Sequence, residues 1–259
     1  TAVEHLHAII ADPYQIDQHE VHLQCSVGYC EYPSDADNAD ELLQKSNLAL
    51  FQAESFNIQS VKYETGMQAH GRHLVTAEKE IRHAFANEEF ILHFQPQLNL
   101  KRNRLEAAEV LVRWQHPDKG ELAPGQFFDD IQALNLFSEL DNYVLEKTCQ
   151  TIDKWYKTYK RRIPLAINIT ADEFQSPNFI QTIQKLLKKY NIPPIYLELE
   201  VTENVVITDI ELVMKIIVEL QSMGIKVSID DFGTGYSSLA YLRRLPIDKI
   251  KIDRSFIQE

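Results

Sequence analysis

From residue 90 onward the chain alternates short apolar runs with longer amphipathic ones, and this alternation constrains the fold more than any other feature. The runs 90–98, 105–113, 164–169, 195–201, 226–231 and 248–253 have the length and composition of strands. Segments 126–160, 171–190, 209–223 and 236–244 have helical spacing, and the stripe Leu212, Val213, Ile216, Ile217 and Leu220 reads as helix core. Repeated strand–helix units predict an α/β fold with a parallel sheet covered by helices. A doubly wound sheet and a TIM-type barrel both satisfy the pattern. An eight-stranded barrel takes about 250 residues. Only about 170 follow residue 89, so a barrel here would lack its last strands.

The first 75 residues have a different texture. Val3 to Ile10 has helical spacing, 21–30 alternates in part like a strand or hairpin arm, and Ala39 to Phe56 is helical, with Leu42, Leu43, Leu48, Leu50 and Phe51 as candidate buried positions. A unit of this size has a marginal core alone. Residues 1–64 are therefore expected to be the remainder of a larger domain, and 65–75, mostly polar, a linker or helix entrance. Thr76 then caps a helix running to Asn87. The chain starts inside a helical pattern without Met and stops just after a strand-like run, so it is expected to belong to a longer protein.

The 259 residues carry 26 Lys+Arg against 38 Asp+Glu, a formal charge of −12. That balance argues against non-specific binding of DNA, RNA or anionic membrane. A small anionic ligand would need local basic groups or metal ions. Cys25, Cys30 and Cys149 lack metal-ligand spacing, and an odd count suits a reducing cytosol. No run of about 20 apolar residues occurs within the chain. A cytoplasmic location is expected, with any membrane anchor carried by other parts of the parent protein. There is no Gly-x-Ser-x-Gly, Walker loop, Gly-x-Gly-x-x-Gly or His-Glu-x-x-His.

Acidic and polar residues gather instead at the strands. Asp230-Asp231 closes the run Val227-Ser228-Ile229 and precedes Gly233 and Gly235. Adjacent carboxylates repel, and a hard divalent cation compensates them well. A solvated turn would also account for this pair in isolation. Other strands add Glu109, Asn168, Glu198, Glu200, Lys251 and Asp253, with Glu203 just after its strand. Period-two alternation places Glu198 and Glu200 on one face. In adjacent parallel strands these ends converge on one rim. Carboxylates plus an amide oxygen suit Mg²⁺ or Mn²⁺. Two such ions about 3.5–4 Å apart suit in-line attack on a phosphodiester. Arg113 can hold a phosphate by paired hydrogen bonds, and Lys251 can neutralise charge or position water.

Three separated motifs, Asp230-Asp-Phe-Gly-Thr-Gly-Tyr-Ser-Ser-Leu239, Leu245-Pro-Ile-Asp-Lys-Ile-Lys-Ile-Asp253 and Glu200-Val-Thr-Glu203, resemble the EAL-domain cyclic di-GMP phosphodiesterases. The resemblance covers about residues 76–259. The signature tripeptide is Glu109-Val110-Leu111, with valine where the family has alanine. Residues 1–64 resemble, more weakly, the C-terminal part of a GGDEF domain, through Ser26-Val-Gly-Tyr-Cys-Glu-Tyr-Pro33 and Ala39 to Ala53.

The resemblance implies a modified TIM barrel whose first strand is antiparallel, cleaving cyclic di-GMP to linear pGpG in bacterial signalling. It implies that Glu109, Asn168, Glu200 and Asp230 bind one Mg²⁺ or Mn²⁺ ion. Asp230 would bridge to a second ion, with Asp231 as a further ligand. Lys251 would contact the attacking water, and Glu203 would hold the loop after Asp231. Gln95, Leu111 and Arg113 would meet the nucleotide, and the domain would form a homodimer. The family continues through two more strands, bearing a glutamate and a glutamine that are absent here. The full-length protein is therefore expected to be competent, and the 259 residues alone weak or inactive. The alternatives are a receptor that binds cyclic di-GMP without cutting it, and a scaffold with no nucleotide affinity.

Overall fold

A computed structural model describes residues 2–11, 14–16, 19–21, 25–55, 58–203, 205, 210–233 and 245–256. The expected helix 236–244 and Gly235 lie outside the described residues. The chain forms two compact units: residues 1–87 with 125–136, and residues 88–124 with 137–259.

In the first unit, α1 (Ala2–Ala11) precedes the antiparallel pair β1 (Tyr14–Ile16) and β2 (His19–Val21). Strand β3 (Val27–Tyr29) pairs in parallel with β4 (Ser60–Lys62), and α2 (Ala39–Ser55) connects them. Asn38 starts α2 by accepting a hydrogen bond from Glu41 N at 2.9 Å. The residues of α2 that are buried are the small ones, Ala49 and Ala53, whereas Leu43 and Phe51 are exposed and Leu42, Leu48 and Leu50 half-buried. The reason is the approach of α2 to β3: a Cβ on Gly28 would stand 1.9 Å from Leu50 N. Backbones this close leave room only for small side chains. The three cysteines are free thiols.

Helix α3 (Met67–Ala86) runs through most of the segment expected to link two domains, so Thr76 lies inside a helix and does not cap one. Met67, Leu74, Ala77, Ile81 and Ala84 are all buried and share one helical stripe, which begins nine residues before Thr76. Gly71, in the second turn, costs only about 1 kcal/mol relative to alanine. In the same unit α4 (Phe128–Ala133) meets α3, and His73 Nε2 lies 2.8 Å from Asp130 Oδ1.

The second unit is built on one seven-stranded sheet. Strands β5 (Phe90–Asn99) and β6 (Arg104–His116) form a long antiparallel hairpin, with β7 (Gly120–Leu122) added to the end of β6. Next to β6, and parallel to it, come β8 (Leu165–Asn168), β9 (Leu197–Thr202), β10 (Lys226–Phe232) and β11 (Lys249–Ile252). Apart from β7, which lies off this path, the strands follow one another in chain order from β5 to β11, and that order never turns back across the sheet. A doubly wound sheet reverses at a switch point; this one advances steadily, as the wall of a curled barrel does, and so decides between the two folds the sequence allows. β5 and β11 each have one strand neighbour among the described residues, which form a barrel wall and not a closed ring.

Within the second unit, α5 (Phe137–Tyr159) and the helices after it cover the outside of the sheet. Residues 126–160, expected as one helix, are divided between α4 and α5, with Asn135 at φ 54° between them. Residues 171–190 are likewise split into α6 (Ala171–Phe174) and α7 (Phe179–Lys189). Pro177 lies in that gap and brings no N–H to continue a helix. Helix α8 (Ile210–Met223) buries Val213, Ile216, Ile217 and Leu220, while Leu212 of the expected stripe is exposed. Leu165, Ala166 and Ile167 are all fully buried, as expected of a strand covered on both faces. Each such side chain contributes about 1.5–3 kcal/mol when apolar and large.

Candidate active site

The parallel register carries the polar residues to one place. Across β6–β8–β9–β10 the pairs are Glu109 with Ala166, Asn168 with Glu200, and Asp230 with Thr202. Period-two alternation then turns Glu109, Asn168, Glu200 and Asp230 to the inner face. Carboxylate oxygens of Glu109, Glu200 and Asp230 lie within 4.8 Å of one another. Lys251 of β11 sits among them, its Nζ 3.0 Å from Glu109 Oε2, 2.5 Å from Glu200 Oε2 and 2.6 Å from Asp230 Oδ2. Asn168 Nδ2 donates to Glu109 Oε1 at 3.1 Å.

Burial sets the electrostatics. Glu200 is completely buried, and its pKa is pushed up to about 7, mainly by desolvation and further by the charges of Glu109 and Asp230, against the pull of Lys251. For Lys251, burial opposes the charged form but is outweighed by hydrogen bonds to Asp230, Glu200 and Glu109, so its pKa is raised. Asp231 is also raised, by partial burial and then by the charges of Asp230 and Asp253.

Around this centre the structure places the other expected residues. Asp231 follows Asp230 at φ 52°, and its N–H donates to Asp230 Oδ1 at 2.8 Å. The pairing of β10 with β11 slips between Ile229 and Phe232, around these two aspartates. Glu203, buried just beyond β9, accepts a hydrogen bond from Gly233 N at 2.9 Å and so ties down the start of the loop after Asp231. Gly233 has φ 99°, a left-handed conformation that favours glycine, and a Cβ there would also push aside the exposed Phe256 ring, 2.4 Å away. Gln95 pairs with Glu109 across the β5–β6 hairpin. Leu111 and Arg113 continue the face of Glu109 toward the end of β6, and Arg113 Nη1 donates to Val112 O at 2.7 Å. Asp253 follows β11 and accepts from Ser255 N at 2.8 Å.

Sequence reasoning passed over several polar groups here. Lys249, two residues before Lys251, pairs with the buried Glu198 and donates to Gln97 Oε1 at 3.0 Å. Gln97 Nε2 lies 3.5 Å from Glu200 Oε1. The matching period-two spacing of Lys249-Ile-Lys251 on β11 and Glu198-Leu-Glu200 on β9 was the available signal, since it puts both lysines and both glutamates on one face of the sheet, to either side of β10. Asp141 of α5 was also missed. It is buried, and its Oδ2 accepts from Thr170 N at 3.0 Å and Thr170 Oγ1 at 2.6 Å.

Desolvation, with smaller contributions from the nearby Glu173 and Asp172, raises the Asp141 pKa from 3.8 to about 6, against the Thr170 hydrogen bonds. The fold thus prefers the protonated acid. This contribution to stability is fully present below pH 3.8 and is lost as pH rises through about 6. Asp141→Asn keeps an oxygen for both Thr170 donors and removes the titration. Its stability relative to the parent is expected to rise by about 2 kcal/mol between pH 4 and pH 7. Urea unfolding at both pH values measures this; parallel pH profiles for the two proteins would contradict it.

A cluster of carboxylates on the inner wall of a parallel, barrel-type sheet defines a class: a divalent-metal site on a (β/α) scaffold. The donors fit such an ion, since three carboxylates and an amide are hard oxygen ligands and an ammonium already bonds to all three acids. The chain belongs to the EAL domain family, whose match spans residues 78–259. It is 33% identical over 260 residues to the bifunctional diguanylate cyclase/cyclic di-GMP phosphodiesterase MucR of Pseudomonas aeruginosa, a match covering 100% of this chain and 38% of that protein. It is 33% identical over 249 residues to the cyclic di-GMP phosphodiesterase NbdA of the same organism, covering 96% of this chain and 32% of that protein. The chain therefore spans about a third of these relatives' length. Among solved structures, a MucR phosphodiesterase in complex with c-di-GMP is 34% identical with a TM-score of 0.66, covering 71% of this chain and 74% of that one. The Xanthomonas citri FimX EAL domain, 24% identical with a TM-score of 0.66, shares the fold. Among the described residues no helix is long and apolar enough to cross a membrane.

Proposed function

We propose that the protein of which this chain is part hydrolyses cyclic di-GMP to linear pGpG, with Mg²⁺ or Mn²⁺ as cofactor. The observation that carries this reading is the convergence of Glu109, Glu200 and Asp230 around one cationic position. The names of MucR and NbdA support it. Glu109, Asn168, Glu200 and Asp230 would hold one ion, and Asp230 with Asp231 a second. Bound there, the ions supply positive charge against the phosphodiester oxygens and acidify water.

The chain's own residues do the rest. Lys251 holds the carboxylates together and presents an ammonium at the point where negative charge develops. Glu203 fixes the backbone at Gly233 and with it the loop beside Asp231. Arg113 offers paired donors to a phosphate, while Gln95 and Leu111 line the approach to Glu109. In this reading residues 1–64 are the C-terminal part of a GGDEF-like domain, 65–75 connect it and 76–259 form the EAL domain. The protein is cytoplasmic and pairs with a second copy through that domain.

The test is incubation of the full-length protein with cyclic di-GMP and Mn²⁺, with separation of the nucleotides. Linear pGpG that disappears on adding a chelator is the expected result. Intact cyclic di-GMP from a folded protein that still binds it would replace hydrolysis with a receptor function.

A further inference from the structure

Asn168 ends β8, and the chain leaves the sheet through Ile169 and Thr170. Both are held. Ile169 N donates to Glu200 O at 2.9 Å, which ties the exit to β9. Thr170 is gripped from the opposite side by Asp141, whose Oδ2 takes both the backbone N–H and the hydroxyl. The same hydroxyl oxygen accepts from Glu173 N at 3.4 Å and starts α6. Glu173 in turn accepts from Ser138 Oγ at 2.5 Å, one turn before Asp141 on α5. A carboxylate here lies among other acids, Asp172 and Glu173, and is only 8% exposed. Capping α6 needs no such group, because Thr170 already does it. Two charge-assisted hydrogen bonds to one residue do something else: they fix its backbone and its χ1 together.

We infer that Asp141 is a positioning residue for Asn168, holding the Asn168–Thr170 exit so that the amide stays against Glu109 and offers its oxygen to the metal. This rests on the metal reading of the site. Partners that orient a metal's ligands typically matter ten- to a hundredfold in affinity. Asp141 lies outside the carboxylate cluster and acts through the backbone of the ligand, two residues away from Thr170.

Calorimetric titration of the full-length protein with Mn²⁺, without nucleotide, tests this. Asp141→Ala is expected to weaken binding roughly 10- to 100-fold. Asp141→Asn, which keeps an oxygen for both donors, is expected to stay near the parent. The deciding readout is a double-mutant cycle: on an Asn168→Ala background, Asp141→Ala is expected to add almost nothing. A loss of the same size on both backgrounds would make Asp141 a merely structural residue and overturn the inference. So would unchanged affinity in Asp141→Ala. Should that variant fail to fold by circular dichroism, Thr170→Val removes only the hydroxyl partner, and its loss must likewise vanish on the Asn168→Ala background. A parent protein that binds no Mn²⁺ overturns the metal reading and this inference together. A parent that binds, with unaffected variants, overturns this inference alone.

Discussion

Glu109→Ala is expected to lower turnover of cyclic di-GMP by roughly a thousandfold or more, while the protein remains folded. The removed group is one of three carboxylates converging on a single cationic position, and it also accepts the Asn168 amide. Its loss takes two ligands out of place at once. Lewis-acid stabilisation of a phosphodiester transition state amounts to several kcal/mol, and each 1.36 kcal/mol is about tenfold in rate. The fold should survive because Lys251 keeps Glu200 and Asp230, and because one source of mutual repulsion disappears. Steady-state rates with Mn²⁺, read beside a thermal melt, measure both halves. Near-parental turnover in the folded variant would remove Glu109 from the site.

Lys251→Met is expected to destabilise the metal-free protein by about 3–5 kcal/mol, the usual consequence of leaving a buried charge without its partner. The Lys251 side chain is 22% exposed, and Glu200 beside it is not exposed at all. With the ammonium gone, three acids face one another across less than 5 Å. Protonation of Glu200 relieves only part of this. The difference between variant and parent should narrow in Mn²⁺, because the ion then provides the charge that Lys251 provided; saturation a hundredfold above Kd adds about 2.7 kcal/mol. Urea unfolding in chelator and in Mn²⁺ gives the two numbers. An equal deficit under both conditions would mean that Lys251 stabilises the fold by packing alone.

The scaffold was legible because strands and helices announce themselves by period. All six strands expected after residue 89 are present within a few residues of their places, and the inner-face acids follow from alternation alone. Helix breaks were not legible to the same degree. Asn135 at positive φ and Pro177 each interrupt a run whose apolar spacing continues across the break. Burial in α2 inverted the expectation for Leu43 and Phe51, since the close approach at Gly28 is a tertiary fact with no local pattern. The same holds for Asp141: its partner is 29 residues away in the chain, and nothing in Glu-Leu-Asp-Asn points to it. Residues facing one another in register can be read from sequence; residues that meet across a helix–loop contact cannot.

Asp231 shows where durability and chemistry pull apart. Its backbone occupies the left-handed region, which costs a side-chain-bearing residue about 1 kcal/mol and costs glycine nothing. Its carboxyl adds a further burden by standing beside Asp230 and Asp253. Any search that rewards thermal endurance alone will find glycine or asparagine attractive here, and will erase a carboxylate beside the proposed metal site. A stabilised version of this protein should therefore be sought everywhere except at the two consecutive aspartates that make it uncomfortable.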